Sequence, residues 1–163
     1  MASIKLKNFL QSTQFSFGST SAILTNMAII IGMDTASNAK LAIIGSLLVI
    51  AVADNISDSL GIHIFQESEG LSQKKVWLQT ITNFFSRLVT SIGFILIIAT
   101  LPLNIAIIFS LIYGLLILSL VSYTIALSKK MNPIYSILEH LFIAVIIILL
   151  SRFFGSLIIN YFR

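Results

Sequence analysis

Leu141-Phe-Ile-Ala-Val-Ile-Ile-Ile-Leu-Leu150 is an unbroken apolar run, and it decides the fold class. A barrel strand would alternate apolar and polar residues over about ten positions. This run does not alternate. A lone apolar strand also leaves its backbone groups unsatisfied in lipid, so the segment reads as a helix. Extended outward, it becomes a stretch from Pro133 to Tyr161, long enough for the ~20 residues that a bilayer core requires. Four more segments qualify by the same test, at about 15–33, 41–65, 76–101 and 103–127. The expected architecture is an all-α membrane protein, one domain of five transmembrane helices.

Composition agrees. Of 163 residues 57% are apolar and only 10% charged, and the mean hydropathy is +1.02. Soluble domains carry roughly 25% charged residues. The breaks between segments have chemical causes. Gly32-Met33-Asp34 closes the first, and residues 35–40 form a polar connector. Residues 67–75 make an aqueous loop, Pro102 forces a tight turn, and Pro133 suits the first turn of a helix. A cleaved signal peptide ending near Ser37-Asn38-Ala39 is not expected, because the leading segment is long and only weakly basic.

Charge sets the expected orientation. Lys5, Lys7, Lys74, Lys75, Lys129 and Lys130 share one side of an alternating five-helix bundle, against Lys40 and Arg163 on the other. The positive-inside rule then puts the N-terminus in the cytoplasm. Trp77 reads as an interfacial anchor there. The basic residues are scattered in short loops, so the net charge of +4 points to topology and not to nucleic acid. The lack of Cys excludes disulfides, thiolate metal sites and Cys nucleophiles. No nucleophile–His–carboxylate order, phosphate loop or HExxH occurs, so no enzyme is expected.

Ionisable groups at membrane depth are costly and are functional candidates by default. The second segment carries Asp54, Asn55, Asp58 and His63, the third Asn83 and Arg87, and the fifth Glu139, His140 and Arg152. Asp54 and Asp58, four apart, share a helix face that Gly61 continues. Counted along the helices, Asp58, Arg87 and Glu139 lie roughly 10–13 Å inside, with Asp54 deeper and Ser21 and Thr25 in the same band. Carboxylates, amide and hydroxyl oxygens and an imidazole are the ligand set of a divalent first-row metal such as Fe(II) or Mn(II). Close carboxylates repel, a proton or a cation relieves the repulsion, and an arriving metal displaces the proton. We therefore expect Asp54, Asp58, His63, Glu139, Asn55 and Thr25 as metal ligands, with Arg87 as charge partner and Glu67 and Glu69 as possible cation capture. The bland alternatives are that both Asp residues pair with Arg87 to lock the bundle, that His63 snorkels, that Glu139 and His140 bond each other, and that Arg152 reaches the headgroups.

The run from Gly45 to Glu69, with Ala53-Asp-Asn-Ile-Ser-Asp-Ser-Leu-Gly-Ile-His63 at its heart, resembles the second helix of the vacuolar iron transporter family. Phe17-Gly18 through Gly32 resembles that family's first helix. The likeness covers mainly residues 17–69; Asn132-Pro133 before the last helix also matches. The resemblance implies a five-helix homodimer with its ion path at the subunit interface, and Asp54 or Asp58 facing the twofold axis. There are departures. The family's first-helix Asp-Gly falls at Ser21-Ala22, its Ser-Met at Ser57-Asp58 and its Gly-Glu-Tyr at Gly61-Ile62-His63, and residues 66–75 are too short for its cytosolic metal-binding helices. The combined expectation is a proton-coupled exporter of divalent metal ions from the cytosol. It needs no resident cofactor and sits in the plasma membrane of a prokaryote or in an endomembrane. The alternative is a non-transporting scaffold or assembly protein that kept the bundle.

Overall fold

The computed structural model describes residues 13–162; Lys5, Lys7 and Arg163, used above for orientation, lie outside the described residues. Five helices follow one another: α1 (Thr13–Gly32), α2 (Ala39–Ser68), α3 (Gln73–Thr100), α4 (Leu103–Lys129) and α5 (Pro133–Phe162). Within α2, two α-helical pieces, Ala39–Val49 and Asn55–Ser68, are joined by a π-helical turn, Ile50–Asp54. Four helices, α2 to α5, are long and apolar enough to cross a membrane. The described apolar stretch of α1, Phe17–Gly32, is shorter.

The helix ends follow from local chemistry. Gly70, at φ 71°, reverses the chain after α2. Leu101 is extended (ψ 155°), as a residue before proline must be, so α3 stops there and α4 starts past Pro102. α4 ends in a Schellman motif built on Lys130 (φ 55°), with Met131 N–H bonding Ala126 O at 2.9 Å and Lys130 N–H bonding Leu127 O. Asn132 then caps α5, its Oδ1 accepting from Ile134 N–H at 3.0 Å.

α1 is the central helix. It packs on α3, α4 and α5 and on the first half of α2. Its Ile23, Met27 and Ile30 are fully buried with Ile43 and Leu47 of α2, Phe94 and Ile98 of α3, Leu118 of α4 and Ala144 of α5. α2 leans on α3 at one edge, and α5 closes the other edge against α1 and α4. Two glycines set how closely the helices approach. A Cβ on Gly18 would come within 2.6 Å of Asn83 Oδ1 and 2.9 Å of the Asn83 carbonyl oxygen on α3. A Cβ on Gly155 would sit 2.9 Å from the Gly32 carbonyl carbon, so α1 and α5 nearly touch backbone to backbone.

The polarity of the bundle is inverted relative to a soluble domain. Leu48, Val52, Ile64, Leu96, Leu116, Leu149 and Phe153 are exposed, while Asn26, Asn55, Asn83, Arg87, Ser110 and Ser122 are buried. An apolar exterior of this extent suits acyl chains and not water.

Candidate functional site

The polar groups concentrate where α1, α2 and α3 meet. α1 and α3 run parallel with matched levels. Gly18 faces Asn83 and Ser86, Ser21 faces Arg87, and Asn26 Nδ2 donates to Ser91 Oγ at 2.9 Å. At the centre is Arg87, whose side chain is 3% exposed. Its guanidinium forks between two carboxylates of α2. Nη2 donates to Asp54 Oδ2 at 2.5 Å and Nη1 to Asp58 Oδ2 at 2.8 Å. Nη1 also donates to Ser21 Oγ on α1 at 2.6 Å. One residue thus ties three helices together. The carboxylates themselves are open on the side away from Arg87, 49% exposed for Asp54 and 33% for Asp58. Two carboxyl groups share one guanidinium.

The π turn ends at Asp54, and a polar lattice extends from it. Asn55 Nδ2 donates to Ala51 O at 3.3 Å and to Phe84 O of α3 at 3.0 Å. Asn83 Nδ2 donates to Ser59 Oγ at 3.1 Å. These amide bonds stitch α2 to α3 beside the fork. The side-chain oxygens of Asn26, Asn55 and Asn83 and the Nε of Arg87 are buried without a hydrogen-bond partner. Wide turns of this kind break the regular backbone ladder and recur at functional sites. No residue pattern in the sequence announced it.

The expected metal shell does not assemble as one group. Among the described residues, no three or more His, Asp or Glu side chains converge on one point. Asp54 and Asp58 are together, as their spacing required. Asn55 has turned its amide nitrogen into the α2–α3 seam. Thr25, one turn past Ser21 on α1, is half-buried and makes no hydrogen bond to the fork. His63 bonds Thr80 and packs edge-on against Trp77, with ring centroids 4.6 Å apart. Glu139 is exposed on the outer face of α5, and α5 packs on α1 and α4. Depth counting places a residue along a helix axis but not around it, and α5 turns Glu139 outward. His140 does not pair with Glu139; its Nδ1 lies 2.7 Å from Ser122 Oγ on α4. Glu67 accepts from Gln73 Nε2 at 2.6 Å across the loop, and Glu69 is exposed at the turn.

At the opposite end of the bundle, Arg152 of α5 bonds Asp34, just past α1, as well as being half exposed. Lys40 Nζ donates to the Leu101 carbonyl at 2.9 Å, closing the end of α3. Arg152 therefore has a partner within the chain, where a headgroup contact was the sequence expectation.

No family model, curated protein or solved structure matches the chain. What the fold and the polar cluster define is a helical membrane bundle with a three-helix charge cluster at its core edge.

Proposed function

We propose that the chain is a proton-coupled transporter of divalent metal cations, with Asp54 and Asp58 as the carrying carboxylates and the fork on Arg87 as the empty state. The observation that carries this reading is the unequal count at the fork, two carboxylates around one buried guanidinium, with both acids open on their outer side. In a low-dielectric surrounding such a surplus charge attracts a proton or a cation strongly. A divalent ion matches the charge of both carboxylates together. Loading it requires Arg87 to release them, and Ser21 already holds one of its N–H groups. The resemblance to vacuolar iron transporters sets the family's first-helix carboxylate at Ser21, and Ser21 is the α1 residue that touches the fork. Fe(II) or Mn(II) as cargo and export from the cytosol complete the reading.

The membrane arrangement belongs to the same proposal. α1 spans as a fifth helix because it lies enclosed by neighbours that are long enough to cross. The N-terminus is cytoplasmic, by the loop lysines. The membrane is the plasma membrane of a prokaryote. A second copy covers the open face of α2, where Ala53, Ser57 and Gly61 are exposed at four-residue spacing beside Asp54. The homodimer so formed removes the carboxylates from lipid.

The test is flux in proteoliposomes with Mn(II) outside and a pH-sensitive dye inside. Asp58→Asn should abolish metal-driven proton movement while the protein stays folded. Unchanged flux removes Asp58 from the mechanism. The scaffold reading is favoured by one observation, that Arg87 already bonds both carboxyl groups and, among the described residues, no third acidic side chain joins them. If purified protein fails to bind Mn(II) or Fe(II) at all, the scaffold reading stands and transport falls.

A further inference from the structure

Asn55 divides its backbone and its side chain between two carbonyls of the π turn. Its N–H bonds the Ile50 carbonyl, five residues back. In a regular α-helix that N–H would take the Ala51 carbonyl, four residues back. The Ala51 carbonyl is reached instead by the side chain of the same residue, Asn55 Nδ2, at 3.3 Å. Nδ2 also donates to the Phe84 carbonyl of α3 at 3.0 Å, and Asn55 is 1% exposed. One buried amide thus serves the acceptor that the wide turn leaves open and pins the turn to the neighbouring helix.

The turn decides which side chains α2 shows to Arg87. A π turn holds one residue more than the α-helix it interrupts. Without it, and with Ala39–Val49 kept in place, each position after the turn moves to the seat that its successor now occupies. Ala53 and Ser57 then stand before Arg87, where Asp54 and Asp58 stand now. Asp54 and Asp58 move into the α2–α3 seam, to the seats of Asn55 and Ser59. We infer that Asn55 is the positioning residue of the fork: its amide holds α2 in the wide register and so keeps both acids on Arg87. The inference concerns only what Arg87 meets, and it holds on the transport reading and on the scaffold reading alike.

The chain has no cysteine, so introduced pairs report the register without background. Ser59 Oγ lies 3.1 Å from Asn83 Nδ2 across the seam, so a Ser59→Cys and Asn83→Cys pair bridges in the wide register. Thr80 meets His63 now and meets Ile62 in the other register, which an Ile62→Cys and Thr80→Cys pair reports. Each pair is oxidised in the full chain in lipid vesicles, and the bridged fraction is read on gels. The parent should favour the first bridge. Asn55→Leu, similar in size but without a donor, should shift the ratio of the two bridges about tenfold toward the second, the effect of two lost hydrogen bonds. Deleting Ala53 removes the extra residue and leaves a plain α-helix with Asn55 and its successors in their present seats. The first bridge should survive that deletion, and Asn55→Leu in the shortened chain should leave the ratio unchanged. Circular dichroism and gel filtration check folding, and the deletion alone decides where Asn55→Leu does not fold. An unchanged ratio in the full-length Asn55→Leu chain overturns the inference. So does loss of the first bridge on deleting Ala53. An equal shift in the full-length and shortened chains overturns it too, because Asn55 is then a plain link between α2 and α3.

Discussion

Replacing Arg87 by Met isolates what the fork contributes. The guanidinium is buried and bonds Asp54, Asp58 and Ser21. Methionine keeps much of the length and removes the charge. Breaking a buried ion pair by deleting one partner costs about 3–5 kcal/mol, because the other charge is left uncompensated. Here the stranded carboxylates are open to lipid, which does not screen them, so the whole of that range, about 3–5 kcal/mol, is expected. For a chain of this size each kcal/mol moves the midpoint of unfolding by about 2–4 °C, so a fall of roughly 6–20 °C is expected. Thermal unfolding in detergent, followed by size-exclusion chromatography of heated samples, measures it. Adding Asp54→Asn and Asp58→Asn to Arg87→Met removes every charge in the cluster and should recover most of the loss, as replacement of a whole buried ion cluster often does. The reasoning is refuted if Arg87→Met unfolds within about 1 °C of the parent, or if the neutral triple variant is no more stable than the single one.

Two further outcomes follow from the packing. Gly61 is exposed with nothing within 4 Å of its would-be Cβ, so Gly61→Leu should leave the single chain's stability unchanged but weaken the proposed self-association at least tenfold, about 1.4 kcal/mol; a mass measurement by light scattering that finds the variant as dimeric as the parent rules out this face of α2 as the contact. Gly155→Ala forces a methyl against the Gly32 backbone, which no rotamer change relieves, and should cost about 1–3 kcal/mol; an unshifted unfolding midpoint would mean that α1 and α5 separate freely.

The elements were legible because a bilayer imposes one loud signal, an apolar run of fixed length ended by Gly, Pro or charge. Pro102 and Pro133 marked helix starts that the structure keeps. Asp54 and Asp58 were legible as a pair because four residues make one helical turn, and their pairing with Arg87 was one of the two readings that spacing allowed. What could not be read was azimuth between helices. Glu139 and Arg87 stand at similar computed depths, yet one faces outward and the other inward, and only the neighbours of each helix decide that. His63 looked like part of the carboxylate shell because an imidazole on the same helix completes the ligand set of a first-row metal. Its actual partner, Thr80, lies on the next helix, and no spacing rule links positions across a loop.

The π turn in α2 has a consequence for how that helix keeps time. Its buried positions Ile43, Leu47, Ala51, Asn55 and Ser59 recur at every fourth residue. A regular α-helix overshoots by about 40° at each such step, which would swing Ser59 almost to the far side from Ile43. The extra residue in Ile50–Asp54 absorbs roughly 100° of that drift, like a leap day inserted in a calendar. The upper half of α2 can thus follow the greasy rhythm of the core while the lower half delivers its acids to Arg87.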